Sequence, residues 1–162
     1  MTSQKEFENK INSSLKFKLY LFYKLPAAFF SGIKIISFSH EECTTSVPYK
    51  WLTQNPFRST YFASLAMAAE MSTGILALSN TYKRKRSVSM LVTKMEAGFF
   101  KKANDLTFFT CSQGKEIADG INETTAGEPK TITVKSTGKN KDGELIAEFL
   151  FTWSFKMRAK ND

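Results

Sequence analysis

The chain predicts an α+β domain, and three observations carry that reading. Toward the C-terminus, Leu145, Ala147, Phe149, Phe151, Trp153, Phe155 and Met157 recur at every second position, with Glu144, Glu148, Thr152, Ser154 and Lys156 on the other face. That is the period of a strand with one buried side. Between Arg58 and Lys83 the run STYFASLAMAAEMSTGILALSNTY contains one charged residue, Glu70, and small or apolar residues surround its axis, as in a helix enclosed by other structure. Short β-rich runs on either side of it are set off by turn residues, so strands and helices are segregated rather than strictly alternating.

The elements follow in order. Residues 5–23 predict an amphipathic helix ended by Leu25-Pro26 and packed against the domain. A secretory signal is disfavoured, because Glu6 and Glu8 come first and Lys16, Lys18 and Lys24 interrupt the apolar run. The alternation of basic and aromatic residues in KFKLYLFYK leaves membrane-surface binding as the alternative. After Gly32, residues 33–39 and 44–51 flank His40-Glu41-Glu42 as a hairpin. Residues 59–78 form the central helix, with Ser59 or Thr60 as its cap, Ala63, Ala66, Ala68 and Ala69 favouring it, and Asn80 just past its end in a left-handed conformation. It is long enough to span a bilayer, but Glu70, Ser64, Ser72, Thr73 and Gly74 keep it too polar, and no membrane span is expected.

Past the basic turn, residues 87–100 and 106–112 read as strands, and 114–125 as a polar segment with helical pieces, closed by Ala126-Gly127-Glu128-Pro129. Residues 131–136 and 144–157 make the final hairpin, whose Asp142-Gly143 is a turn signal. The length of 162 residues and the 42% hydrophobic content suit a single domain, 1–162. Fifteen Phe against two Trp predict a core or dimer seam filled by plain rings.

Composition narrows the chemistry. His40 is the only histidine, which excludes a site with two His ligands and any Ser-His-Asp triad not built on His40, for which no nucleophile motif is present. Cys43 and Cys111 lack metal-ligand spacing and suit buried thiols in a reducing, cytoplasmic setting. Neither a metal nor a cofactor is expected. Glu70 is the sharpest feature, because a carboxylate alone in an apolar helix must be desolvated, paired or used.

Asn55-Pro56-Phe57-Arg58 leads into that helix, with Tyr61 six residues after Asn55 and Glu70 nine after Tyr61. This spacing, and the stretch NPFRSTYFASLAMAAEMSTG around it, resembles the active-site segment of hotdog-fold acyl-CoA thioesterases of the PaaI type, in an uncharacterised branch. The resemblance extends from about Gly32 to Lys156, with the specific residues in the Asn55 to Glu70 segment. It implies an antiparallel sheet wrapped around a long central helix, at least a homodimer and in many relatives a homotetramer, and acyl sites at the subunit interface. One departure stands out: the family His-Gly-Gly is here Tyr61-Phe62-Ala63.

Under that resemblance Glu70 acts as general base on water or as nucleophile, and the Phe62 and Ala63 N–H groups polarise the thioester carbonyl. Asn55 orients water or the carbonyl, and the Tyr61 hydroxyl replaces the missing His as donor. Each has a plain alternative: Glu70 pairs with Arg58 or another cation, Asn55 is a turn residue, and Tyr61 is a core ring. If hydrolysis is lost with the His-Gly-Gly, the same fold binds an acyl chain or acyl-CoA without turnover.

The 23 basic and 15 acidic residues give a net charge of +8, which favours an anionic partner. Lys83-Arg84-Lys85-Arg86 and Lys101-Lys102 are candidates for holding coenzyme A phosphates, with a solvated turn as the alternative for the first cluster. No nucleic-acid partner is expected, since the charge is not accompanied by exposed aromatics or a known module.

Overall fold

Six strands form one antiparallel sheet in the computed structural model, which describes residues 3–12 and 14–158. They are β1 (Lys34–Phe38), β2 (Cys43–Val47), β3 (Val88–Phe99), β4 (Thr107–Cys111), β5 (Lys130–Lys139) and β6 (Leu145–Met157), in the spatial order β1-β2-β4-β5-β6-β3. The helix α4 (Phe62–Thr81) packs on β2, β4, β5 and β6, and α5 (Gly114–Asn122) packs on α4 and β5. Among the described residues, α4 alone is long and apolar enough to cross a bilayer, and it is mostly buried inside the sheet.

The alternation in β6 does the work expected of it. Ala147, Phe149, Phe151, Trp153 and Phe155 are buried against the small residues Ala68, Ala69 and Ala77 of α4 and its Leu76. Phe149 stacks on Phe151 at 5.9 Å and meets Phe109 edge-on at 5.6 Å. Small residues on α4 leave room for these rings, which explains the alanine-rich composition of an enclosed helix. Several polar groups buried with them are paired. Thr45 donates to the Ala68 carbonyl at 2.7 Å, Ser72 and Ser136 share a hydrogen bond at 2.8 Å, and the Trp153 indole donates to Thr73 Oγ1 at 3.0 Å.

α4 begins and ends three residues later than the sequence predicts. Ser59 and Thr60 do not cap it, because the Thr60 N–H and hydroxyl both go to the Ala103 carbonyl, at 2.7 and 3.0 Å, and the Tyr61 N–H goes to the Thr53 carbonyl at 2.6 Å. Those bonds hold the backbone extended until Tyr61 (φ −61°, ψ 135°), and no side chain caps the helix. At the other end Asn80 stays helical, its amide donating to the Leu76 carbonyl at 2.9 Å, and Lys83 takes the left-handed conformation instead, with φ 51°. β5 likewise runs past residue 136, since Gly138 lets the chain pass Phe109, where a Cβ would come within 2.4 Å of the ring.

The N-terminal segment is helical as α1 (Ser3–Asn12) and α2 (Ser14–Lys24), anchored by Phe7 and Ile11 on one and Phe17 and Leu21 on the other, each pair one turn apart and buried. A short α3 (Pro26–Ser31), not foreseen in the sequence, follows, with Pro26 in its first turn and Gly32 closing it at φ 75°.

Candidate functional site

The lead-in to α4 is shaped by Asn55. Its Oδ1 accepts the Phe57 N–H at 3.0 Å and the Ser59 N–H and hydroxyl at 3.2 Å each, so the side chain organises the turn. Its amide nitrogen has no hydrogen-bond partner among the described residues, and Asn55 lines the groove that opens alongside. That groove, of about 560 Å³, is lined on one side by Asn55, Phe57, Tyr61 and Phe62 and on the other by Phe99, Phe100, Lys101 and Lys102. Tyr61 and Phe62 are half exposed, with their rings edge-on at 4.8 Å. The Phe62 and Ala63 N–H groups lie in the uncapped first turn of α4, where no intrahelical acceptor exists, at the positive end of the helix dipole.

Glu70 faces a different cavity. Nine residues after Tyr61 it lies roughly 13 Å further along the helix, in a space of about 150 Å³ walled by Phe17, Tyr20, Leu25, Met71, Ile75, Leu78 and Met90. Burial pushes its carboxyl above the usual Glu value. No ion pair or hydrogen bond reaches its carboxylate among the described residues, so the pairing with Arg58 is absent there. Gly74, one turn on, makes room for it: a Cβ at that position would come within 2.9 Å of Glu70 Oε1 and 3.5 Å of Trp153. In one chain, then, Asn55, Tyr61, Phe62, Lys101 and Lys102 share a groove and Glu70 stands apart from it.

The basic turn lies at the C-terminal end of α4, about 30 Å from the groove by helix length. Lys83 pairs with Glu6 at 2.8 Å and, with Tyr82 and Lys10, holds the Glu6 carboxyl below its usual value. Arg84 donates to the Ile121 carbonyl at 3.3 Å and to Asn122 Oδ1. Arg86 reaches the Met157 sulfur at 3.7 Å, and Lys85 has no partner among the described residues. Most of this cluster therefore fastens α1 and α5 to the end of α4. At the groove, Lys101 pairs with Glu144, and Lys102 donates to the Phe57 carbonyl at 3.4 Å.

Phe99, Phe100 and Gly74 were not singled out by sequence reasoning. The signal for the first two was an aromatic pair running directly into Lys101-Lys102 at a strand end, and for Gly74 a helix-breaking residue one turn after the lone carboxylate. Cys43 and Cys111 sit directly opposite each other on β2 and β4, free and buried. Desolvation pushes the Cys111 thiol up to about 11 and Cys43 higher still, so neither is an activated nucleophile.

The chain matches, over residues 16–155, the family model described as a domain of unknown function, DUF4442, and belongs to that family. No curated protein matches it. Among solved structures it is similar to a Pseudomonas aeruginosa protein of unknown function described as a probable thioesterase, with 19% identity, 88% of this chain and 95% of that one covered, and a TM-score of 0.72. It also resembles the PaaI protein of the E. coli phenylacetic acid degradation operon (11% identity, 94% and 99% covered, TM-score 0.65). A Haemophilus influenzae thioesterase is a third neighbour (13%, 86% and 88%, TM-score 0.63). The sheet with its enclosed helix is the hotdog fold, as the segment from Asn55 to Glu70 led us to expect.

Proposed function

We propose that this DUF4442 protein hydrolyses an acyl thioester carried on coenzyme A, at a site built by two chains. The observation that carries the reading is Glu70: an unpaired carboxylate in an apolar cavity of the central helix, with a raised pKa, in a fold whose solved neighbours include named thioesterases. A carboxylate with a pKa nearer neutrality is a stronger base than a solvated one.

Its separation from the groove is the reason for two chains. β3 is an edge strand of twelve residues with Leu91 and Met95 exposed along it and Phe99, at its end, lining the groove. Such an edge is a template for pairing with a second β3, and a partner placed there brings its own helix beside the groove. The thioester carbonyl then lies against the Phe62 and Ala63 N–H groups. The carboxylate takes a proton from water, the oxygen adds to the carbonyl carbon, and the tetrahedral intermediate collapses with loss of the thiolate, which recovers the proton. Asn55, through its amide, and Tyr61, through its hydroxyl, orient the carbonyl or the water. Lys101 and Lys102 favour an anionic carrier at the rim.

A second reading has its own observation. Phe62 and Ala63 stand where the PaaI-type thioesterases that this segment resembles have two glycines, and Tyr61 where they have the His, which suits a protein that binds acyl-CoA without cleaving it. A screen of short, medium, long and aryl acyl-CoAs for thiol release, with binding measured in parallel, separates the two. Hydrolysis of one class supports the first reading; binding with no release of thiol overturns it in favour of the second. If the basic turn grips coenzyme A, neutralising Arg84 and Arg86 raises KM or Kd for acyl-CoA, less so at high salt, and spares the matching pantetheine thioester.

A further inference from the structure

We infer that the outer face of α2 and α3 is a docking surface for an anionic lipid bilayer. α2 has two apolar sides. Phe17 and Leu21, 7% and 2% exposed, hold it on the domain. At 3.6 residues per turn, Leu15, Leu19, Phe22 and Tyr23 fall on the opposite side, and all are open to solvent, Leu15 and Tyr23 at 70% and 74%. Lys16 and Lys18 flank this outer stripe, one on each edge, and both are exposed. The stripe continues onto α3 through the Phe22 ring, which meets Phe29 at 5.3 Å and Phe30 at 6.3 Å.

Charge says what covers it. Lys16, Lys18, Lys24 and Lys34 enter no ion pair among the described residues, and no Asp or Glu occurs between Glu8 and Glu41. Aromatic and aliphatic side chains framed by free ammonium groups match the boundary of a bilayer, with rings at the level of the acyl chains and ammoniums reaching the lipid phosphates. A second copy of the chain fits less well, because a two-fold interface on this patch sets unpaired lysines against the same lysines. Phe17, Tyr20 and Leu25 also wall the Glu70 cavity, so the docked face borders the candidate site. The inference does not rest on hydrolysis.

The test is co-sedimentation of the full chain with phosphatidylcholine vesicles, with and without phosphatidylglycerol. Wild type is expected in the pellet with the anionic vesicles, less so as salt rises. Lys16→Glu/Lys18→Glu should weaken that binding by about tenfold or more. Leu15→Ser/Tyr23→Ser should weaken it too, while Lys115→Glu/Lys139→Glu, with the same charge change on α5 and β5, should leave most of it. The milder Lys16→Gln/Lys18→Gln pair serves if the Glu pair does not fold. The proposal falls if wild type stays in the supernatant with anionic vesicles, or if the α5/β5 pair weakens binding as much as the α2 pair. It also falls if Leu15→Ser/Tyr23→Ser changes the molecular mass in light scattering and leaves vesicle binding intact.

Discussion

At the scale of single residues, Glu70 is held at a thermodynamic cost. Its folded carboxyl has a pKa above the unfolded value because burial disfavours the charge. The cost is absent at pH values where both states are protonated, and grows as pH rises from the ordinary Glu value near 4.5 through the folded pKa. Glu70→Gln should therefore raise Tm relative to wild type at neutral pH and lose that advantage below about pH 4. A Tm difference that stays flat across this range would mean that the carboxylate is solvated, and a wild type more stable than Glu70→Gln at neutral pH would mean that it is paired. The buried Thr107 hydroxyl has no hydrogen-bond partner among the described residues, so Thr107→Val should be neutral or stabilising, by up to about 1–2 kcal/mol in denaturant melts. Cys43 and Cys111, buried with raised pKa values, should resist a thiol reagent in the native state and react on unfolding.

At the scale of elements, most of the chain was legible because patterning decides it. The period of two in β6 and the even apolarity of α4 read directly as a half-buried strand and an enclosed helix, whereas of the run expected as a strand over 44–51 only the part to Val47 is one, and Trp51–Thr53 forms a short 3-10 turn. The ends of α4 were not legible. Ser59 and Thr60 are good capping residues, but a carbonyl 43 residues away, Ala103, claims the Thr60 donors, and no local pattern announces that bond. The short α3 was missed for a related reason, since six residues carry no period. In the candidate site, Asn55 and Tyr61 were found by spacing, and nine helical residues already set Glu70 roughly 13 Å beyond Tyr61; what no local pattern announces is which elements wall each side chain, the end of β3 at the groove and α2 at the Glu70 cavity. Gly74 ties these scales together. Gly74→Ala would bring a methyl group within 2.9 Å of Glu70 Oε1, and the carboxylate must move. Thiol release from acyl-CoA should then drop with helix content unchanged by circular dichroism, whereas full activity would mean that the Glu70 rotamer seen here is not the working one.

At the scale of the whole molecule, the chain leaves two surfaces unfinished: the β3 edge with Leu91, Met95 and Phe99, and the lysine-framed stripe of α2. On the readings proposed above, the first pairs with a second copy and the second meets a bilayer. Light scattering at micromolar concentration should give a dimer or larger, and Leu91→Lys/Met95→Lys, which puts like charges along the edge, should shift it toward monomer. A wild-type monomer would remove the two-chain site. The proposed role of Glu70 is that of the base of a thioester hydrolase. It is tested most directly by thiol release from the best acyl-CoA substrate with wild type and Glu70→Gln, both checked for the same oligomeric mass. In Glu70→Gln kcat should fall by about a hundredfold or more with KM little changed; equal rates for the two proteins would overturn the role of Glu70 as base.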